Sequence, residues 1–162
     1  MYRKAVVLTV FTIALIAGCT RTEQRASGPA APDFTLVDLA GKKVHLADLK
    51  GKVVLVEFWA TWCPPCQASI PGVERLHRSY GGKGLVVLGV SVDEGGSDSL
   101  RSFAAQNGIT YTVLRSDDEV LANYLVRSIP SLFLVNKDGM IAKQYLGEGF
   151  EDSLDKDIRS LL

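Results

Sequence analysis

Cysteine and histidine are the scarce residues of this chain, three and two among 162. Three thiols cannot build the multi-disulfide framework of a small secreted scaffold. His45 and His77 stand apart and supply no paired metal-ligand pattern. An excess of charge of either sign is also missing: eighteen basic residues balance eighteen acidic ones. No basic cluster marks a nucleic-acid surface. Long apolar runs are absent as well, since the thirteen residues 5–17, apolar but for Thr9 and Thr12, fall short of the about 20 needed to span a bilayer. There is no internal repeat.

What the N-terminus does have is order: Arg3 and Lys4, then the apolar run, then Ile16-Ala17-Gly18-Cys19. Basic residues, a short apolar stretch and small residues before a cut site are the layout of a secretory signal. The tetrapeptide resembles a bacterial lipoprotein signal, which implies cleavage before Cys19 and lipidation of that residue. Removing residues 1–18 leaves 16 basic against 18 acidic residues, a net of −2. Residues 20–31, rich in Thr, Ser, Gly, Pro and Ala, then read as a flexible tether reaching roughly 20 Å. Residues 32–162 have ordinary globular composition and a length that supports one core. The expected organisation is a signal at 1–18, a lipidated cysteine with tether at 19–31, and a domain at 32–162.

Within that domain, Val53–Trp59 (VVLVEFW) and residues 85–92 (LVVLGVSV) are continuous apolar, β-branched runs, as expected of central strands covered on both faces. Between them a helix is predicted from near Pro64, with Ile70, Val73 and Leu76 on one face and Gly81 past its end. Strand, helix, strand makes a βαβ unit. A second helix is predicted over Ser97–Gln106, stopped by Asn107-Gly108, and a strand over 111–114. Ser116 followed by Glu119 reads as a capping box opening a short helix through Leu125. Strands at Ser131–Val135 and 141–145 join through Lys137-Asp138-Gly139. Leu154, Ile158 and Leu161 give a last amphipathic helix. Ahead of the first central strand, 34–37 and 43–46 form a small hairpin around Gly41.

The remaining two cysteines sit in Trp62-Cys63-Pro64-Pro65-Cys66, where a strand ends and a helix begins. Cysteines three apart in a first helical turn are neighbours on one face, close enough for a disulfide. Cys63 would lie at the helix N-terminus, where unpaired N–H groups and the macrodipole favour the thiolate. It is therefore the expected nucleophile, and Cys66 the resolving thiol. A static disulfide and half of a zinc site are the competing readings; zinc needs two further ligands, and neither His45, on an edge strand, nor His77, on the open side of its helix, is placed to serve.

The stretch from Phe58 to Cys66 (FWATWCPPC), with Ile129-Pro130 far downstream, resembles the thioredoxin superfamily. The N-terminal hairpin and the extra helix and strand at about 97 to 114 are similar to its membrane-tethered TlpA/ResA branch. The likeness implies an α/β thioredoxin-like fold: a central mixed sheet flanked by helices, with an N-terminal hairpin and a helix–strand insert. It implies an exported thiol-disulfide oxidoreductase that passes two electrons to disulfide-containing exported clients, reduced in turn by a membrane thiol donor of the DsbD/CcdA kind. Cytochrome c maturation is one role within the family. Apart from a redox-active Cys63–Cys66 disulfide it implies no cofactor and no metal. Pro130 matches the family's cis-proline facing the motif, where it would present the backbone of Ile129 to an extended client. Trp62, Pro64 and Pro65 would share that contact surface, Trp59 would pack near the motif, and Pro71 matches the proline inside the family's first helix.

Glu57 interrupts an apolar strand six residues before Cys63, where thioredoxins keep a buried acid. Desolvation should raise its pKa and make it a base for the Cys66 proton. Members of the ResA branch commonly carry an acid three residues after the second cysteine, and here that position is Ser69. Asp93 and Glu94 read as a solvated turn. A thiol peroxidase would have Pro seven and Thr or Ser three residues before its reactive cysteine, and this chain has Val56 and Ala60. A copper metallochaperone on a related fold separates its cysteines by three residues and adds a distant histidine, and no histidine follows His77.

Overall fold

Every position of the run Val53–Trp59 is buried, because the strand it forms, β3, is covered on both faces. Val53, Leu55 and Trp59 pack with Ile70, Val73, Leu100, Leu154 and Ile158. Val54, Val56 and Phe58 pack on the other side with Phe34, Leu36, Val120, Tyr124 and Phe133. Strand periodicity of two thus splits one run between two cores. The computed structural model describes residues 28–162; the signal at 1–18, Cys19 and tether residues 20–27 fall outside the described residues.

The described elements are β1 (Thr35–Asp38), β2 (Lys43–His45), β3, α1 (Pro64–Tyr80), β4 (Leu85–Ser91), α2 (Ser97–Gln106), β5 (Thr112–Arg115), α3 (Asp118–Asn123), β6 (Ser131–Val135), β7 (Ile141–Leu146) and α4 (Glu151–Leu161). They form a mixed sheet of order β2-β1-β5-β4-β3-β6-β7. β3, β4 and β5 run parallel, and β6 lies antiparallel to β3 with Glu57 opposite Leu132. The N-terminal hairpin joins through β1, antiparallel to β5. This is the expected thioredoxin-like α/β fold. It puts the end of β3, the start of α1 and the start of β6 at one edge of the sheet.

Several boundaries differ from the sequence reading. Leu46 leaves the hairpin and opens a short 3-10 turn, Leu46–Leu49. The cap of α3 is Asp117, not Ser116: the Asp117 carboxylate accepts the Val120 N–H at 2.8 Å. The Ser116 N–H donates to the Ser91 carbonyl at 2.9 Å, which keeps Ser116 on the strand ladder. The chain is pinned before Pro32 as well. The Ile141 N–H donates to the Pro29 carbonyl and the Ala31 N–H to the Gly139 carbonyl, both at 2.9 Å, so residues that read as tether already pair with the β6–β7 turn. His45 does lie on the edge strand, with Nε2 2.7 Å from Asp33, whose hydrogen bond raises the imidazole pKa.

His77 is a correction. Instead of standing on the open side of α1 it is half-buried, its ring edge-on to Tyr111 at 6.1 Å between centroids. The buried face of α1 is wider than Ile70, Val73 and Leu76, and also takes in Ser69 and Glu74.

Candidate active site

Pro64 and Pro65 open α1, where missing N–H groups cost nothing because no helical carbonyl is there to accept them. Cys63 is the N-cap, and its Sγ accepts the Cys66 N–H at 3.3 Å. The two cysteines are joined, with S–S 2.08 Å and Cα–Cα 5.2 Å. Cys66 is wholly buried, whereas Cys63 keeps 4% exposure and is the sulfur open to attack. Pro71 lies inside α1 and leaves the Gln67 carbonyl without its helical donor.

Around the disulfide, Trp62 is 65% exposed while Trp59 is buried against Phe103. The Ile129–Pro130 bond is cis, and the Ile129 carbonyl oxygen lies 3.9 Å from Cys63 Sγ. Residues 66 apart in sequence therefore share one rim: Trp62 and Pro64 exposed, Pro65 and Ile129 half-buried, Pro130 beneath.

Glu57 is fully buried on β3, as its place in an apolar run implies. Its Oε1 lies 3.1 Å from Ser69 Oγ and its Oε2 3.5 Å from Tyr111 Oη. Burial pushes the carboxyl up to about 7, against the opposing pull of those two hydroxyls. Room for this cluster comes from Gly89, which faces Glu57 on β4. A Cβ at Gly89 would stand 2.8 Å from the Tyr111 ring and 2.9 Å from Trp59 Nε1, closer than packed atoms approach.

Four residues near the site escaped the sequence reading. Asp93, expected in a solvated turn, accepts the Thr61 N–H at 2.9 Å, the Thr61 hydroxyl at 2.5 Å and the Ser91 hydroxyl at 2.7 Å. The Gln67 amide donates to the Thr61 carbonyl at 2.5 Å, so the loop ahead of Cys63 is held from both β4 and α1. A carboxylate at the carboxyl end of a parallel strand, at the same sheet edge as the cysteines, was the available signal. Tyr111 precedes β5 rather than joining it, and its phenol pKa is raised by burial and by nearby Glu57 and Glu74. Glu74 accepts from the Thr110 N–H (2.9 Å) and hydroxyl (2.5 Å) and from Arg78 (2.5 Å). Burial raises its pKa, but the Thr110 and Arg78 hydrogen bonds outweigh that and lower it overall. It fixes the segment that carries Tyr111.

Comparison with known proteins agrees with this geometry. The AhpC/TSA family matches residues 27–144. The chain is 36% identical over 135 residues to the thiol-disulfide oxidoreductase ResA of Bacillus anthracis, covering 82% of this chain and 77% of the relative. It is also 36% identical to the thioredoxin-like protein YneN of Bacillus subtilis, covering 80% and 79%. A thiol:disulfide interchange protein of the thioredoxin family from Chlorobium tepidum superposes with a TM-score of 0.76 at 27% identity, covering 84% and 97%. With a buried carboxylate behind a disulfide at a helix start, and a cis-proline facing it, the chain belongs to the AhpC/TSA family and is a thioredoxin-like thiol-disulfide oxidoreductase.

Proposed function

We propose that the protein is an exported, membrane-anchored reductant of disulfides in extracytoplasmic proteins. The observation that carries this reading is the unequal pair: Cys63 at the rim, 3.9 Å from the Ile129 carbonyl, and Cys66 sealed behind it. In the reduced protein the Cys63 thiolate attacks one sulfur of a client disulfide. The client's other sulfur leaves with the bond pair and takes a proton, and a Cys63–client disulfide remains. Cys66 gives its proton to the Glu57 carboxylate, and its sulfur attacks Cys63. The Cys63–Cys66 bond forms as the second client sulfur departs with its bond pair and takes a proton from solvent. Two electrons pass to the client, two client thiols result, and no cofactor beyond the dithiol takes part.

The rim supports an extended client. Ile129 would offer its backbone to a passing strand while Trp62 and Pro64 cover the flanking side chains. The direction of transfer follows from the motif: Pro64 and Pro65 carry no N–H, so apart from the Cys66 N–H and the helix dipole little favours the Cys63 thiolate. Weak stabilisation of the thiolate makes a stronger reductant. Equilibration with glutathione should give a potential near thioredoxin's roughly −270 mV; a value near the about −120 mV of DsbA would overturn the reading.

For location, the reading rests on the sequence of residues 1–19, with Cys19 lipidated and the dithiol recharged by a membrane thiol donor of the DsbD/CcdA kind. It is supported by where the domain meets its N-terminal segment: Pro29 and Ala31 pair beside Gly139–Ile141, and that end of β7 is the one away from Ser131 and the Cys63 rim. An anchor attached at that end leaves the rim unobstructed for both clients and the membrane donor. Intact mass of the membrane-fraction protein should show a chain beginning at lipidated Cys19; an unmodified Cys19 sinks the anchor. Apocytochromes c, whose cysteines must be reduced before haem attachment, are one client class this chemistry serves. The loop Val126-Arg127-Ser128-Ile129-Pro130-Ser131 lacks the Gly-Val-Tyr-Gly-x-Pro-Glu pattern of dedicated cytochrome partners, so the proposal is for exported disulfides in general.

A further inference from the structure

Ser69 sits one turn after Cys66 in α1, 1% exposed. Its Oγ lies 2.8 Å from the Cys66 carbonyl oxygen and 3.1 Å from Glu57 Oε1. A serine hydroxyl has one hydrogen, and a carbonyl only accepts. Both contacts are therefore hydrogen bonds at once in a single arrangement: Ser69 donates to the Cys66 carbonyl and a protonated Glu57 donates to Ser69. When Glu57 is ionised it only accepts, and the one Ser69 hydrogen must turn to it and leave the Cys66 carbonyl. That turn costs little, because the carbonyl lies inside α1 and also accepts a helical N–H.

We infer that Ser69 is a positioning residue for resolution, its hydroxyl switching between the Cys66 carbonyl and Glu57 as the carboxyl takes or gives up the Cys66 proton. The inference deepens, and rests on, the reading of Glu57 as that proton's acceptor. In the resolving step the Cys66 S–H bond breaks toward Glu57. The electron pair left on Cys66 forms the bond to Cys63, and the Cys63–client bond breaks with its pair on the client sulfur. With Glu57 newly protonated, Ser69 swings back to the Cys66 carbonyl. The switch is thus set to one position before the step and to the other after it.

The surroundings isolate this role. Toward Glu57, α1 presents Ser69 one turn beyond Cys66, and the segment before β5 presents the Tyr111 hydroxyl. β4 offers Gly89 and β6 offers Leu132, neither of which titrates. Glu74 acts on this cluster through Tyr111, and the His77 ring packs edge-on against the Tyr111 ring. Tyr111 therefore serves as an internal control: its hydroxyl bonds the same carboxyl, whereas Ser69 bonds both that carboxyl and the Cys66 carbonyl.

The test is single-turnover resolution of a preformed Cys63 mixed disulfide, followed from about pH 5 to about pH 9 in the full chain. Ser69→Ala should move the midpoint of the rate profile up by about one unit and slow resolution roughly fivefold at about pH 7 and roughly tenfold at the acid end, since a carboxylate stripped of a donor holds its proton more tightly. Ser69→Thr should restore the profile. Carbon NMR titration of the Glu57 carboxyl in the oxidised protein gives the same shift without depending on the Thr variant. Tyr111→Phe should also raise the carboxyl's midpoint, but only Ser69→Ala should alter the Cys66 carbonyl resonance as Glu57 titrates. A Ser69→Ala midpoint that stays in place, or a slowing equal at every pH, overturns the inference. Glu57→Gln separates the two ideas: if it leaves the wild-type profile intact, the proton-acceptor reading fails first; if it abolishes the pH dependence while Ser69→Ala moves nothing, Ser69 alone is wrong.

Discussion

Glu57→Gln should make the protein more stable above neutral pH and much slower at releasing its client. Burial holds the carboxyl's pKa at about 7 in the folded chain, against an ordinary value of 4.5 for a glutamate in water. Below the lower value both folded and unfolded chains hold the proton, and the group contributes no penalty. As pH rises the unfolded chain gives up its proton first, so stability is lost progressively until the folded pKa is passed. The full loss is about 3 kcal/mol, an order-of-magnitude figure from the size of the shift. The amide keeps the shape and the two hydroxyl partners but cannot ionise. Urea unfolding at pH 5 and pH 8 should therefore show variant and wild type close at the lower pH and the variant ahead at the higher. Resolution should fall by about a hundredfold or more, the usual worth of a positioned base. Parallel stability curves together with an unchanged rate would remove Glu57 from the mechanism.

The same numbers explain why this carboxylate is a poor choice for structure alone. Leu55 and Trp59, two places to either side on the same face of β3, are apolar and fully buried. An apolar residue at 57 would suit the packing better and would spare the desolvation that raises the pKa. The position makes sense if the carboxyl is needed protonated and unprotonated in turn, beside a helix whose first turn carries Cys66.

Much of this was legible in sequence because it depends on neighbours along the chain. VVLVEFW and LVVLGVSV announce strands covered on both sides, and Cys-Pro-Pro-Cys between strand and helix announces the redox pair. Glu57 stood out because nothing local excused it. What was hidden depends on partners far away. Asp93 reads as a loop acid until the fold brings it against Thr61, 32 residues earlier, and Tyr111 reads as a strand aromatic until it meets Glu57, 54 residues away. Ser69 looked like the loss of an acid, and the structure makes it the α1 hydrogen-bond partner of Glu57. The α3 boundary went astray because the reading placed the cap at Ser116, whereas backbone pairing to Ser91 keeps that residue on the ladder and Asp117 caps the helix.

The central claim, attack by Cys63 and resolution by Cys66, has a second large consequence. With the resolving thiol removed, the first half of the reaction runs and the second cannot, so Cys66→Ala should lose multiple turnover and accumulate client proteins bound covalently. The Cys63→Ala variant should also lose turnover but trap no client, because its remaining thiol is wholly buried. Reducing agent should release the trapped clients, since the bond is a disulfide. The most direct measurement is therefore mass spectrometry of the adducts that the two variants form in the native compartment. The account predicts extracytoplasmic proteins linked through Cys63 in Cys66→Ala and none in Cys63→Ala. Equal trapping by both variants, or clients joined through Cys66, would contradict it.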